Sequence, residues 1–278
     1  MITSIATLVN EFAIVDLKVL LFTLGLWNTL APTVYIFADQ TSVPLIKAIP
    51  YQGKVIIKED ALNAYTGLNR QDMESRQGRI YKTLFADFTA EKASLMEWAL
   101  EHDSSGVLFC DADICHLAAL PEIPAGTDLA LSPHMIRKTD TDRYGIYNAG
   151  YLWFKDTAIA ARWRELCKTS RFFEQGCLED LAKGYTLYEF PVQVNYGWWR
   201  MWQGLQPPGP LQEDWGIFRT ESSSGIAVQK KPLQSVHTHW AETKDRATSE
   251  FNRFVLERLS RLSSVKKTAT LSRFLSKI

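Results

Sequence analysis

Two aspartates that directly follow an apolar run are the residues best placed to do chemistry. Residues 106–110 (GVLFC) are followed by Asp111, Ala112 and Asp113. An apolar run of this kind is typical of a strand buried on both faces of a parallel sheet. The i, i+2 spacing puts both carboxylates on roughly one side of an extended chain. Hard divalent cations take oxygen ligands and are often shared between carboxylates and substrate phosphates. We therefore predict a cation site at Asp111 and Asp113; the alternative is an ordinary turn, where aspartate is common.

Two histidines near position 240 are the second candidate. His237 and His239 are separated by one residue, so an extended segment would present both rings on one side. Imidazole suits Mn²⁺-like metals, although two histidines without any ligand are an equally simple interpretation. We favour His237 because it ends a strand-like run after Val236, whereas His239 is adjacent to Trp240 and could stack there or bind backbone.

Two further features have a functional and a structural interpretation. Residues 147–151 (YNAGY) place two small residues between aromatic ones, which either lets the backbone approach a ligand closely or forms a bulge or tight bend. Lys92 shares the apolar stripe of a predicted helix with Leu95, Met96 and Ala99. A lysine at such a position either reaches a buried anion or extends its ammonium group to solvent, and from the local sequence alone we favour the second.

The hydrophobic pattern predicts an α/β fold in which helices flank a mainly parallel sheet, followed by a C-terminal helical appendage. The predicted strands are 5–9, 33–38, 54–57, 106–110, 128–132 and a strand pair over 144–154. The predicted helices are 12–27, 157–168, 174–183 and one from an N-cap at Thr89 to about His102, with a loop over 63–78. Because ligands bind at the carboxyl ends of strands in open α/β sheets, Asp111 and Asp113 would lie at the binding edge.

Composition narrows the class of protein. The 278 residues contain 31 basic and 31 acidic side chains, and this balance argues against nucleic-acid binding through the whole surface. The four cysteines lack C-x-x-C spacing, which indicates reduced thiols and a cytoplasmic protein. No secretory signal is evident. Residues 19–38 carry no charge and reach the length of a membrane span, but Asn28 and Pro32 in their middle favour a helix, a turn and a strand.

In their order, these residues resemble the GT-A-type nucleotide-diphospho-sugar transferases, particularly the glycogenin-like and related bacterial branches. The resemblance runs from Thr3 to about Lys244 and rests on residues 5–10 (IATLVN), the D-x-D strand, residues 148–150 (NAG), residues 173–175 (FEQ) and Val236-His237. It implies a divalent metal, Mn²⁺ or Mg²⁺, held by Asp111, Asp113 and His237. It implies donor contacts from Thr7, Leu8, Asn10, Lys92, Asp111, Ala112 and Lys244, and catalytic roles for Asn148, Glu174 and Gln175.

The sequence departs from the family pattern in two places. The glycogenin-like ending H-x-x-G-x-x-K-P-W is missing, and Lys244 stands one residue late. Glu174 replaces the family's aspartate and is one methylene longer. These departures leave the sugar and the stereochemical outcome undefined.

The resemblance implies a metal-dependent glycosyltransferase of the hexosyltransferase type, which moves a sugar from a nucleotide-diphosphate donor, with a UDP-sugar favoured, to an unknown acceptor such as a glycan or surface polysaccharide. Two other classes remain open. A haloacid-dehalogenase-type phosphatase also has a D-x-D after a strand, but its motif wants Thr or Val where Cys115 stands. A non-enzymatic adaptor derived from a transferase would bind a nucleotide, a membrane or a partner without turnover.

We expect a transferase domain over residues 1–250 and a basic amphipathic helix over 251–278. From Arg253 onward the chain has seven basic residues and one acidic residue. Such a helix would bind an anionic membrane surface, peripheral to its cytoplasmic face, with its apolar stripe of Phe254, Val255, Leu259 and Leu262. The alternative is a helix packed on the acidic body of the protein.

Overall fold

A computed structural model describes residues 1–197, 199, 215–219, 224–228, 231–238, 240, 249, 252, 253, 255, 256 and 259. For 215–219 and 224–228 it describes the backbone alone. The strands within these ranges are β1 (Ser4–Val9), β2 (Thr33–Ala38), β3 (Val55–Lys58), β4 (Val107–Cys110), β5 (Ile114–His116), β6 (Leu129–Pro133), β7 (Tyr147–Phe154), β8 (Leu187–Glu189), β9 (Tyr196–Gly197), β10 (Trp215–Arg219), β11 (Ser224–Val228), β12 (Lys231–Pro232) and β13 (Ser235–His237). The helices are α1 (Ile14–Trp27), α2 (Val43–Lys47), α3 (Arg70–Ser75), α4 (Leu84–His102), α5 (Lys138–Tyr144), α6 (Thr157–Cys167) and α7 (Leu178–Ala182).

The central sheet is mostly parallel, as the sequence predicts. Its strand order across the described chain is β3-β2-β1-β4-β7-β6-β8. Strands β3, β2, β1 and β4 run parallel, and β7 runs antiparallel to both of its neighbours, β4 and β6. The start of β7 therefore lies beside the end of β4, which Asp111 and Asp113 directly follow.

Each face of the sheet is covered by its own apolar cluster. In β1, Ile5 and Val9 pack into the cluster that contains α1, whereas Ala6 and Leu8 pack into the cluster that contains α4 and α6. This alternation follows from the two-residue side-chain period of a strand. Burial on both faces explains why β4 is continuously apolar.

The predicted N-cap at Thr89, for the helix that ends near His102, was wrong. Helix α4 begins at Leu84, and its N-cap is Thr83, whose Oγ1 accepts a hydrogen bond from the backbone N–H of Ala86 at 3.2 Å. Thr89 lies inside the helix and donates its hydroxyl to the carbonyl of Ala86. Both threonines precede apolar residues, so local sequence alone does not separate a cap from an interior threonine that bonds back to the preceding turn.

Three other predicted boundaries also need correction. The stretch 63–78, predicted as a loop, contains α3, whose N-cap Asn69 forms a capping box with Asp72. The predicted strand pair over 144–154 is one strand, β7, preceded by α5. Helix α7 covers only Leu178–Ala182 of the predicted 174–183, because residues before it form a turn that carries Glu174 and Gln175.

A second, three-stranded sheet brings the late part of the chain back to the site. Its order is β5-β13-β9, and His237 of β13 is paired with Ile114 of β5 and Gly197 of β9. After β13, the backbone N–H of Trp240 donates to Asp16 Oδ1 of α1 at 3.0 Å. These pairings place His237 beside the turn that carries the two aspartates.

The beginning of the C-terminal segment packs on the body of the protein. Val255 and Leu259 are fully buried in the apolar cluster that contains α1, and Asn252 accepts a hydrogen bond from the hydroxyl of Thr238. Phe254, Leu262 and most of 251–278 lie outside the described residues. The domain boundary at residue 250 stays a prediction. Among the described helices, none combines the length and apolar character that crossing a membrane requires.

Candidate active site

Asp111, Asp113 and His237 form a compact group of potential metal ligands. One atom from each lies within 4.8 Å of the others. The Nε2 atom of His237 is 3.1 Å from Asp113 Oδ1 and 3.6 Å from Asp111 Oδ2. Asp113 and His237 are buried and Asp111 is partly exposed, so the group faces solvent through Asp111. The structure thus brings together the three residues predicted to hold a metal.

The chemistry and spacing of this group fit a divalent cation. Two carboxylates and one imidazole suit Mn²⁺ well and leave Mg²⁺ an acceptable alternative. Gly150 adds a second observation, because a Cβ at this position would stand 2.3 Å from His237 Cε1 and 2.4 Å from Asp111 Oδ2. The backbone of β7 approaches the ligand group this closely only because residue 150 has no side chain.

Lys92 is buried and holds two carboxylates together. Its Nζ atom lies 2.9 Å from Asp111 Oδ1 and 2.8 Å from Glu174 Oε1. Burial opposes the charged form, but attraction to Asp111 and Glu174 outweighs it and raises the pKa of Lys92. Of the two interpretations of Lys92, the structure supports the buried ion pair and not an ammonium group extended to solvent.

A cavity of about 360 Å³ opens over this group. The predicted site residues that line it are Leu8, Asn10, Lys92, Asp111, Ala112, Asp113, Asn148, Glu174, Gln175 and His237. They come from the ends of β1 and β4, from β7, β13 and α4, and from the turn before α7. The cavity therefore lies at the carboxyl edge of the parallel strands, where ligands bind in open α/β sheets.

Three predicted residues are not placed in the cavity. Thr7 is fully buried within β1 and does not contribute to the cavity lining. Since side chains alternate along a strand, its neighbour Leu8 faces the cavity instead. Lys244 and His239 lie outside the described residues, so the choice of His237 over His239 as the metal ligand stays a prediction.

Sequence reasoning missed the aromatic wall of the cavity. Six aromatic residues line it: Phe12, Phe85, Phe88, Phe172, Phe173 and Trp199. Four of them, Phe85, Phe88, Phe172 and Phe173, pack against one another. Phe173 has a positive φ of 40°, a strained conformation for a bulky residue that is often associated with a functional turn. The sequence offers one signal for it, the Phe-Phe pair beside Glu174. This pair is far along the chain from the cavity residues of α4, so the sequence does not predict that the two sets are in contact.

Two buried polar residues behind the ligand group were also missed. Asn195 Oδ1 is 2.9 Å from His237 Nδ1, and His134 Nε2 is 3.3 Å from Asn148 Nδ2. Trp199 packs edge-on against both histidines. Neither Asn195 nor His134 belongs to a recognisable motif, so only the fold connects them to the site.

No protein-family model matches this chain, and no curated protein matches it in sequence. Solved structures are similar to it. The apo form of mouse xyloside xylosyltransferase 1 superimposes with a TM-score of 0.53 and 10% identity, covering 86% of this chain and 98% of the xylosyltransferase.

Two other similar structures are larger. The glycosyltransferase GlyE of Streptococcus pneumoniae TIGR4 gives a TM-score of 0.46 at 14% identity, covering 71% of this chain and 47% of GlyE. The bifunctional glycosyltransferase WbbM in its apo form gives 0.47 at 12%, covering 70% of this chain and 40% of WbbM. The matched region thus spans less than half of either protein.

The likeness to the xylosyltransferase extends over nearly its whole length, and the mostly parallel sheet has the architecture predicted from the resemblance. The chain has the GT-A-like fold of the nucleotide-sugar glycosyltransferases.

Proposed function

We propose that this protein is a metal-dependent glycosyltransferase that moves a sugar, a hexose in our proposal, from a nucleotide-diphosphate donor to an acceptor such as a glycan or surface polysaccharide. One observation carries the proposal: the ligand group of Asp111, Asp113 and His237 lies in the cavity at the carboxyl edge of a GT-A-like sheet. A UDP-sugar is the favoured donor, and we place the reaction in the cytoplasm.

The residues of the ligand group suit a divalent cation, Mn²⁺ in the first place. Asp113 and His237 would bind this ion. Asp111 would be a third ligand and would also orient the donor through ribose or sugar hydroxyls. A bound divalent ion acts as a Lewis acid toward a leaving diphosphate, whose negative charge grows as the sugar–phosphate bond breaks.

Lys92 orients Asp111 and Glu174 through its two ion pairs. Fixing these carboxylates before the donor enters means that little reorganisation is needed during the reaction. Its positive charge also offsets part of the negative charge of these two carboxylates, which reduces their repulsion of a diphosphate in the cavity. In our proposal Leu8 and Asn10, at the end of β1, contact the nucleotide, and Lys244 contributes a phosphate contact.

The far side of the cavity is proposed to hold the donor sugar and the acceptor. Asn148 is fixed there because its Oδ1 accepts the backbone N–H of Gly150 at 2.9 Å. Gln175 also lines the cavity and donates its amide to the carbonyl of Tyr144 at 3.0 Å. Together with Glu174, these groups would orient sugar hydroxyls. The six aromatic rings offer apolar surfaces against which a sugar ring can pack and from which water is excluded.

A thermal-shift panel tests the proposal directly. The full-length protein is heated with UDP, GDP, CDP or ADP conjugates of sugars, each with and without Mn²⁺. A ligand that binds only the native state raises the melting temperature, by an amount that grows with its concentration over Kd. We expect one base to stabilise the protein only when Mn²⁺ is present. Equal stabilisation with and without Mn²⁺ would contradict the metal dependence, and failure of every conjugate to stabilise the protein in Mn²⁺ would favour the non-enzymatic adaptor.

A further inference from the structure

A chain of buried hydrogen bonds runs from the backbone of β7 to His237. The N–H of Gly150 donates to Asn148 Oδ1 at 2.9 Å. The same oxygen lies 3.0 Å from Asn195 Nδ2, and Asn195 Oδ1 lies 2.9 Å from His237 Nδ1. All of these side chains are buried, so the bonds are shielded from exchange with solvent.

The backbone amide gives this chain a fixed direction. An N–H of the main chain can only donate, so Asn148 must present its oxygen to Gly150. Asn195 must then present its NH₂ group to that oxygen, because two amide oxygens would otherwise face each other. This leaves Asn195 Oδ1 facing His237, and an amide oxygen can only accept.

The consequence concerns the tautomer of the imidazole. If Asn195 Oδ1 accepts, His237 Nδ1 must carry the proton. In the neutral ring that metal binding requires, the lone pair then lies on Nε2, the nitrogen that faces Asp111 and Asp113 at 3.6 and 3.1 Å. A metal-binding histidine needs this arrangement, since its other ring nitrogen usually donates to a fixed acceptor.

We infer that Asn195 is a positioning residue, which holds His237 as the Nδ1–H tautomer with its Nε2 lone pair aimed at the carboxylates of Asp111 and Asp113. This inference rests on the metal-dependent function proposed above, and it adds a residue that does not itself line the cavity.

The conformation of Asn195 supports a fitted role. Its φ is 54°, in the left-handed region that most residues avoid and that Asn, Asp and Gly tolerate. Its backbone N–H donates to Ser235 Oγ at 2.8 Å, and its amide also donates to Ser132 Oγ at 3.1 Å. The side chain is therefore held by contacts on three sides.

This conformation allows a matched pair of variants. Asn195→Asp and Asn195→Gly both keep the positive φ at little steric cost. The aspartate retains an acceptor for His237 Nδ1 but loses the two amide donors. The glycine loses the acceptor as well. Ser132→Ala serves as a control because it removes a neighbour of Asn195 and leaves the acceptor oxygen in place.

The experiment titrates each full-length variant with Mn²⁺ and follows the free ion by electron paramagnetic resonance. Loss of an outer-shell partner typically weakens metal binding by about 10- to 100-fold, and we expect this for Asn195→Gly. Asn195→Asp and Ser132→Ala should stay within about threefold of the wild type or bind more tightly. Melting temperatures recorded alongside separate this effect from general unfolding, because both Asn195 variants lose the same amide bonds.

Two results would overturn the inference: unchanged Mn²⁺ affinity in Asn195→Gly, or an Asn195→Asp variant as weak as the glycine. Either result leaves the transferase proposal intact as long as the wild type binds Mn²⁺. A wild-type protein that leaves Mn²⁺ free would contradict the proposed metal dependence itself, and the role of Asn195 would fall with it.

Discussion

The imidazole Nε2 of His237 lies 3.1 Å from Asp113 Oδ1, although one residue is in the middle of the chain and the other near its end. The contact follows from strand pairing, because β13 runs antiparallel to β5 with His237 opposite Ile114, the residue after Asp113. The backbone N–H of Thr238 also donates to the carbonyl of Asp113 at 3.1 Å. The late part of the chain therefore completes a site that the centre of the sheet begins.

Gly150→Ala tests how tightly the ligand group is packed. A methyl group there would stand 2.3 Å from His237 Cε1 and 2.4 Å from Asp111 Oδ2, so one of these side chains must move. We expect at least about a tenfold loss of Mn²⁺ affinity, as found when metal ligands lose their orientation. Gly25→Ala is the control, because nothing lies within 4 Å of the added methyl in α1 and alanine favours a helix by about 1 kcal/mol. Equal Mn²⁺ affinity in Gly150→Ala and the control would contradict the geometry.

Lys92→Met tests the buried ion pairs. The variant leaves the buried carboxylate of Glu174 without its cation, and breaking a buried pair in this way costs about 3–5 kcal/mol of unfolding free energy. The double variant Lys92→Met with Glu174→Gln removes both charges and should regain much of that loss. Neither should transfer sugar at a normal rate. Urea unfolding curves measure the difference. A single variant within about 1 kcal/mol of the wild type would show that the pair does not act as described.

His116 makes stability depend on pH. Burial lowers the pKa of His116 from its usual 6.5 to about 3, so the folded protein keeps this ring neutral while the unfolded chain protonates it below pH 6.5. The contribution of this group to stability is therefore complete above pH 6.5 and falls between pH 6.5 and about 3, by about 1.4 kcal/mol per pH unit. His116→Gln should have a correspondingly shallower fall, while both proteins follow parallel curves above pH 7. Identical slopes below pH 6 would refute this assignment.

Leu259 tests whether the C-terminal segment is part of the body. Its side chain is fully buried with Val255 in the cluster of α1, so Leu259→Ala should lose about 2–5 kcal/mol. Exposed Arg253→Ala should stay within about 0.5 kcal/mol. Because Val255 and Leu259 pack in this cluster, the prediction that they face a membrane was wrong. Membrane binding by the basic residues of 251–278 stays a prediction, and co-sedimentation with anionic liposomes checks it. Sedimentation that is unchanged after Lys266 and Lys267 are both replaced by alanine, a variant that keeps Val255 and Leu259, would count against it. An unchanged stability of Leu259→Ala would contradict the packing.

The sequence predicts the fold well where burial decides the pattern. The continuous apolar run of β4 and the alternation in β1 both follow from packing on two faces of a sheet. Helix ends that depend on a single hydrogen bond were harder to predict. The N-cap of α4 is an example, because Thr83 and Thr89 offer the same local chemistry.

The site residues also differ in how far the sequence predicts them. Asp111 and Asp113 are adjacent to a strong strand signal, so their position at the sheet edge is predictable. Asn195 and the aromatic wall depend on contacts between distant segments, and no local pattern distinguishes them from core residues. Glu174 shows the intermediate case: its place in the motif was visible, but its ion pair with Lys92 required the packing of α4 against the turn before α7.

The most direct test of the account is a calorimetric titration of the protein with UDP and the other nucleoside diphosphates in Mn²⁺, repeated in EDTA and with Asp113→Ala. Asp142→Ala, which changes an exposed aspartate of α5, is the matched control. We predict that one nucleotide binds the wild type and the control in Mn²⁺, and that its affinity falls at least about tenfold in EDTA and in folded Asp113→Ala alike. Binding of equal strength with and without the metal, or in Asp113→Ala, would contradict the proposal that this group holds a cation for the diphosphate.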